Sequence, residues 1–216
     1  MNEHGPFAAQ ARMLNKSART RARLMDAATG IFAREGFEAA SVNRIAQAAE
    51  VVNGTFYLHF KDKDDIAAAV AYTIAAEAAR QLDAAMSGID DAVERVSLGT
   101  RRFVEFAAAR PEWGLALFRA TWHFPDLRKQ VIAFVRADLE RGAEQGAFTA
   151  VIDDYTVDMF ASMTLSAVFA RLQNLHGDKD GGARAAELQL RMLGVPPAKA
   201  RKAATRPLPP LEIAVV

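Results

Sequence analysis

The sequence of 216 residues contains no cysteine. That absence excludes disulfide scaffolds, thiolate zinc sites, iron–sulfur ligation and a cysteine nucleophile, and leaves a reducing cytoplasm as the default expectation. Long hydrophobic runs are missing too. The longest uncharged stretch, 159–170, is 12 residues, well below the ~20 needed to span a bilayer, so no membrane partner is expected. The N-terminal MNEHGPFAAQARMLNKSART lacks the continuous apolar centre of a secretion signal and reads as a flexible basic arm over 1–16. Charge of one sign is not in excess: the formal net charge is +1 and 51% of the residues are apolar, which excludes a disordered chain. Histidine is scarce, four in all with no pair at ligating spacing, so no metal and no other cofactor is expected. There is no phosphate-cradling glycine loop, no G-x-S-x-G and no convincing carboxylate pair, since Asp153-Asp154 sits where a helix start explains it. Enzymatic function is not expected.

What is present is unevenly distributed. Residues 1–63 carry nine Lys and Arg against six Asp and Glu, and the segment from Arg12 to Arg23 holds five basic residues and no acidic one. Such a segment suits a place near phosphates but needs a reading element beside it. Leu24, Ala27, Ala28, Ile31 and Phe32 recur at three- and four-residue steps, predicting one amphipathic helix over 17–35 that Gly36 ends. Ser41 caps a short second helix, whose apolar residues are Val42, Ile45, Ala46 and Ala49. Asn53-Gly54, taken locally, matches a hairpin turn between β-branched and aromatic residues. A lone hairpin would have nothing to pair with, because nearly everything downstream reads as helix. As a helix, the segment turns Val51, Phe56 and Phe60 inward and leaves Asn53, Thr55, Tyr57 and His59 toward the outside.

Two short helices joined by a tight turn, preceded by a longer one, form a helix-turn-helix unit whose second short helix can enter a major groove. The run RARLMDAATGIFAREGFEAASVNRIAQAAEVVNGTFYLHFKDKDDI resembles the N-terminal signature of the TetR family of transcriptional repressors. It has the helix ending in Gly-aromatic, the Ser cap, the Ile-Ala pair, the Gly-Thr-Phe-Tyr-x-His-Phe recognition helix and the Lys-Asp-Lys exit. The resemblance implies an all-α protein: a three-helix DNA-binding domain over 17–63, a larger helical ligand-binding and dimerisation domain over 64–194, and a Pro-rich tail over 195–216. It also implies double-stranded DNA with a palindromic operator, a small-molecule effector and a second copy of the chain as partners. Carried over by position, Asn53 contacts bases, Gly54 lets the backbone approach, and Thr55, Tyr57 and His59 hold phosphates, with Lys63 adding a cation. Ser41 caps and touches phosphate, and Asn43 and Arg44 project outward to backbone or groove edge. Two positions depart from the pattern. Glu50 stands where the turn usually has glycine, and Val52 stands at the recognition-helix start, where it cannot cap. Either the turn is re-formed with Asn53 helping to cap, or the preference at that groove position differs.

Beyond Asp64, helices are predicted at 64–86, 90–110, 112–122, 126–145, 154–176 and 183–193, and the tail after Gly194 is expected to be extended. The stretch 159–170 is apolar around most of its circumference, and Ser162, Ser166 and Ala170 form a stripe of small residues. The resemblance places dimer contacts on the last two long helices. Phe103, Trp113, Phe118, Trp122, His123, Met159 and Met163 are the candidates for an apolar ligand pocket. Arg102, Arg119 and His123 are the nearest groups for a polar head.

Overall fold

The structure is a computed structural model that describes residues 5–177 and 180–208. Eleven helices and no strand are found among the described residues: α1 (Pro6–Gln10), α2 (Lys16–Glu35), α3 (Val42–Ala48), α4 (Asn53–Tyr57), α5 (Lys63–Met86), α6 (Ala92–Ala109), α7 (Pro111–His123), α8 (Pro125–Glu144), α9 (Asp154–Leu172), α10 (Gly181–Met192) and α11 (Pro197–Ala204). None of these helices is long and apolar enough to cross a membrane.

Side-chain caps set five of the eleven starts. Asn15, Ser41, Asp62, Asp91 and Asp153 each accept a hydrogen bond from a backbone amide of the first turn, a contact worth about 1 kcal/mol. Pro111 and Pro125 open α7 and α8, where a missing amide hydrogen costs nothing. α2 stops at Gly36, which takes φ +87°. α9 stops at Leu172 rather than at 176, because Asn174 adopts φ +50° and the Leu175 amide closes back onto the Ala170 carbonyl at 3.0 Å. Asparagine tolerates that left-handed conformation better than other side chains with a Cβ.

Two expectations at the ends of the chain are corrected. The arm is not loose over its whole length: α1 folds back along α2, with Phe7 only 4% exposed. The Asp26 carboxylate accepts the amides of Phe7 and Ala8 at 3.0 and 2.8 Å, capping α1 from the neighbouring helix. The tail is not extended over 197–204, because α11 buries Ala200 and Ala204, four residues apart, beside α6 and α10. Both helices begin with proline, and proline taken as a breaker conceals proline used as a first helical residue. Residues 1–4 of the arm and 209–216 of the tail lie outside the described residues.

The apolar interior falls into two main clusters. The first joins Leu24 and Phe32 of α2, Ile45 of α3 and Phe56 of α4 to Ile66 and Ile74 of α5 and to Trp113, Leu117 and Ala120 of α7. The small N-terminal unit and the base of the larger domain therefore share one core. The second cluster holds the far part of the larger domain together through α6, α8, α9, α10 and α11, with Leu139, Leu190 and Leu193 fully buried. A small third group, Val104, Ala107 and Val168, links α6 to α9.

Candidate nucleic-acid interface

The candidate recognition element is built from its buried side outward. Phe56 of α4 is fully buried, touching Phe60 at 5.8 Å between ring centroids, and Val51 is half-buried against the same core. Anchoring these residues leaves Asn53 and Gly54 exposed, Thr55 and His59 half-exposed, and Tyr57 59% exposed with its ring edge-on to Phe56. The exposed set is short, polar and contiguous, the chemistry that reads base edges and holds phosphates. A Cβ placed on Gly54 would meet nothing within 4 Å, so the protein itself does not require glycine there.

Both departures from the family pattern lie in the turn between α3 and α4. Glu50 takes φ +55°, and the Val51 amide donates to the Ala46 carbonyl at 2.9 Å while the Glu50 amide donates to Gln47 at 3.1 Å. This is the two-bond closure by which a helix commonly ends on a left-handed residue. Glu50 therefore adopts the glycine conformation instead of re-forming the turn. Arg23 braces it, donating to the Ala49 carbonyl at 2.5 Å and lying 3.7 Å from the Glu50 carboxylate. Val52 occupies the cap position of α4 and makes no side-chain cap, and Asn53 is the first helical residue and does not cap either. Val52 is 73% exposed, an apolar group beside Asn53 at the tip of the recognition helix.

Around this tip, Ser41 accepts the Arg44 amide at 3.3 Å as the cap of α3, and Asn43 is exposed. Arg44 is exposed, and its guanidinium grips the Glu35 carboxylate at both oxygens and also reaches the Ala39 carbonyl. The pairing holds the Glu35 carboxyl below, and the Arg44 guanidinium above, their ordinary pKa values. Arginine followed a carboxylate one helix away, a contact nine residues distant that local spacing does not reveal. Lys63 is the first residue of α5, half-exposed at the exit of the unit. No group of three or more His, Asp or Glu residues that could hold a metal occurs among the described residues.

In the larger domain, α6, α7 and α9 meet along a narrow apolar crevice with no room for a water molecule. Phe103, Phe106, Leu117, Phe118, Leu165 and Val168 line it, with the small residues Ala107 and Gly114 at a close approach of α6 and α7. Of the residues singled out from sequence, Phe103 and Phe118 lie on the crevice. Trp113 lies apart, stacked on Phe7 at 5.0 Å, and His123 stacks on Phe37 at 5.1 Å. Trp122 is 63% exposed beneath the Arg128 guanidinium. Met159 is on the outer face of α9, and Met163 is half-buried on the same helix. Arg102 pairs with Glu105, and Arg119 donates to the Phe32 carbonyl at the end of α2 at 3.0 Å. Composition alone sorts these aromatics poorly, because core and crevice draw on the same residue types. The more telling signal is the pair of small residues on facing helices.

Comparison with known proteins finds two family profiles along the chain. A profile described as "Bacterial regulatory proteins, tetR family" matches residues 24–70, and one described as "Tetracyclin repressor-like, C-terminal domain" matches residues 91–206, more than half of the chain. The HTH-type transcriptional regulator AcrR of Shigella flexneri is 43% identical over 47 residues, 22% of each chain, so the match spans about a fifth of that relative. The solved structure of RolR in complex with resorcinol has a TM-score of 0.70 at 29% identity, covering 91% of this chain and 98% of that one. The fatty acid degradation regulator FadR of Bacillus halodurans has a TM-score of 0.68 at 20% identity, covering 81% and 94%, which speaks for the fold. With a helix-turn-helix head, a helical body and profile matches over both, this chain belongs to the TetR family of bacterial regulatory proteins.

Proposed function

We propose that the protein is a sequence-specific transcriptional regulator that binds a palindromic operator as a homodimer and is released from it by a small, mostly apolar ligand. The observation that carries the DNA-binding part is α4, where full burial of Phe56 presents Asn53, Gly54, Thr55 and Tyr57 together at the surface. No catalytic step belongs to this reading, and its place of work is the cytoplasm, where the chromosome is.

The second copy is supported by α9 and α10. α9 buries Val157, Phe160, Ala161, Leu165 and Val168 on one side. Its other side leaves Tyr155 at 74%, Met159 at 36% and Phe169 at 38% exposure around Ser166, and Leu188 of α10 is 39% exposed. Exposed apolar residues in register with small ones on two neighbouring helices suit a self-complementary two-fold contact. Two recognition helices would then stand ~34–36 Å apart, one turn of DNA, and require a palindrome.

The ligand part is supported by the crevice. Its aromatic lining suits a flat, small molecule, and RolR, which the chain resembles over nearly its whole length, is described in complex with resorcinol. α7 carries Gly114, Leu117 and Phe118 on the crevice side, and its Arg119 and His123 hold Phe32 and Phe37 of the head. A ligand that parts α6 from α7 shifts the helix on which the head is fastened. Release requires only that ligand prefer the displaced state, and a coupling of ~1–3 kcal/mol lowers DNA affinity about 5- to 150-fold.

The test is titration of the purified protein onto labelled DNA flanking its own gene, at two salt concentrations and against competitor. Tight, competitor-resistant binding is expected, and Tyr57→Ala is expected to weaken it at least tenfold while the sedimentation of the dimer is unchanged. Equal affinity of the variant and the wild type would refute the placement of the recognition helix.

A further inference from the structure

Because α1 folds back, the basic arm becomes a built corner. Ala11 is buried, the Leu14 amide donates to the Ala11 carbonyl at 3.0 Å, and Asn15 caps α2, so residues 11–16 turn through a defined path. The corner is pinned from behind by the Asp26 carboxylate on α1 and by the Phe7–Trp113 stack. It stands at the end of α2 away from the larger domain: Phe32 and Arg34 near the other end touch Arg119 and Glu112 of α7. Lys16 lies sixteen residues before Phe32, roughly 24 Å along the helix.

Lys16, Arg19 and Arg23 follow at helical spacing on one face of α2, and Arg23 on that face touches the helix-turn-helix turn at Ala49. The cationic stripe therefore runs from the turn outward to the corner, where Arg12 continues it. Among the described residues, no hydrogen bond or ion pair engages the side chains of Arg12, Lys16 or Arg19, whereas Arg21 lies over the Phe60 ring and Arg23 is bound to the turn. Between the unengaged cations sit Met13, 95% exposed, and Leu14, 55% exposed. Positive groups held on a fixed scaffold beside an exposed apolar pair match a surface of alternating phosphate and sugar.

We infer that the α1–α2 corner is a second DNA-binding element, with Arg12, Lys16 and Arg19 gripping the phosphate backbone that flanks the groove entered by α4, and Met13 and Leu14 resting on the adjoining sugars. This rests on the DNA-binding reading above and adds an element to it. It gives each protomer a wider footprint than the recognition helix alone, and affinity that depends more steeply on salt.

The experiment uses the full chain and a duplex selected by the wild-type protein from a random pool. Three proteins are compared: wild type, the triple variant Arg12→Ala, Lys16→Ala, Arg19→Ala, and a control double variant Lys199→Ala, Lys202→Ala, which removes exposed cations from α11. The side chains removed from the corner hold nothing in the fold, so thermal melting is expected to be unchanged. The corner variant is expected to bind at least tenfold more weakly, with the slope of log affinity against log salt reduced by about 0.9 for each phosphate that is no longer neutralised. Its hydroxyl-radical footprint is expected to lose protection at the flanks and keep it at the centre, and the control is expected to match wild type. A corner variant indistinguishable from wild type in slope and footprint would overturn the inference alone. A wild-type protein that enriches no duplex would overturn the DNA reading itself and this element with it.

Discussion

At the scale of single residues, Gly54 is the sharpest probe of the interface. A methyl group there meets no atom of the protein, and alanine favours the helix by up to about 1 kcal/mol relative to glycine. Gly54→Ala is therefore expected to leave thermal stability equal or slightly raised while weakening operator binding, a split that melting curves and a gel-shift titration read together. Loss of both would mean that the glycine serves the fold. Glu50 shows a different use of the same backbone freedom, a left-handed residue with a Cβ whose helix-ending hydrogen bonds and Arg23 brace keep the turn in place.

At the scale of elements, α7 is the helix on which the proposed communication depends. It touches the crevice through Leu117 and Phe118 and the head through Arg119, His123 and, by way of Phe7, Trp113. Arg119→Ala is expected to leave ligand binding intact while reducing the difference in DNA affinity between ligand-free and ligand-bound protein by several-fold, measured as paired gel shifts. The elements are unequally legible from sequence. α2 and α3 announce themselves because periodicity, the Gly36 stop and the Ser41 cap agree within short windows, whereas α4 has no cap and is legible through the spacing of its aromatic residues. α1 and α11 do not, since their stability comes from Asp26 and from the faces of α6 and α10, partners distant in the chain. The exposed edge of α4 is readable because polar residues on a buried aromatic base form a local pattern. The crevice is only half readable, because whether Trp113 or Leu117 faces it depends on how three helices meet.

At the scale of the molecule, the exposed faces of α9 and α10 organise everything else in the proposal. Leu188→Arg places a charge on the self-complementary patch and is expected to yield monomers by sedimentation, with operator affinity falling by orders of magnitude although the recognition helix is untouched. Retained dimers would move the interface to another surface. The shared core of the head and α7 predicts that the two domains melt as one transition, since Phe56 and Leu117 belong to the same apolar cluster.

The narrowness of the crevice bears on how sensitive such a regulator is to its signal. With no room even for water, a ligand must open its own space, and the packing free energy it spends there is subtracted from its affinity. The response threshold is therefore written into van der Waals contacts between α6, α7 and α9 as much as into anything the ligand touches. Val168→Ala removes two buried carbons at that seam, at a stability cost of about 1–2 kcal/mol. It is expected to lower the ligand concentration that half-releases the operator, making a less stable protein the more responsive sensor.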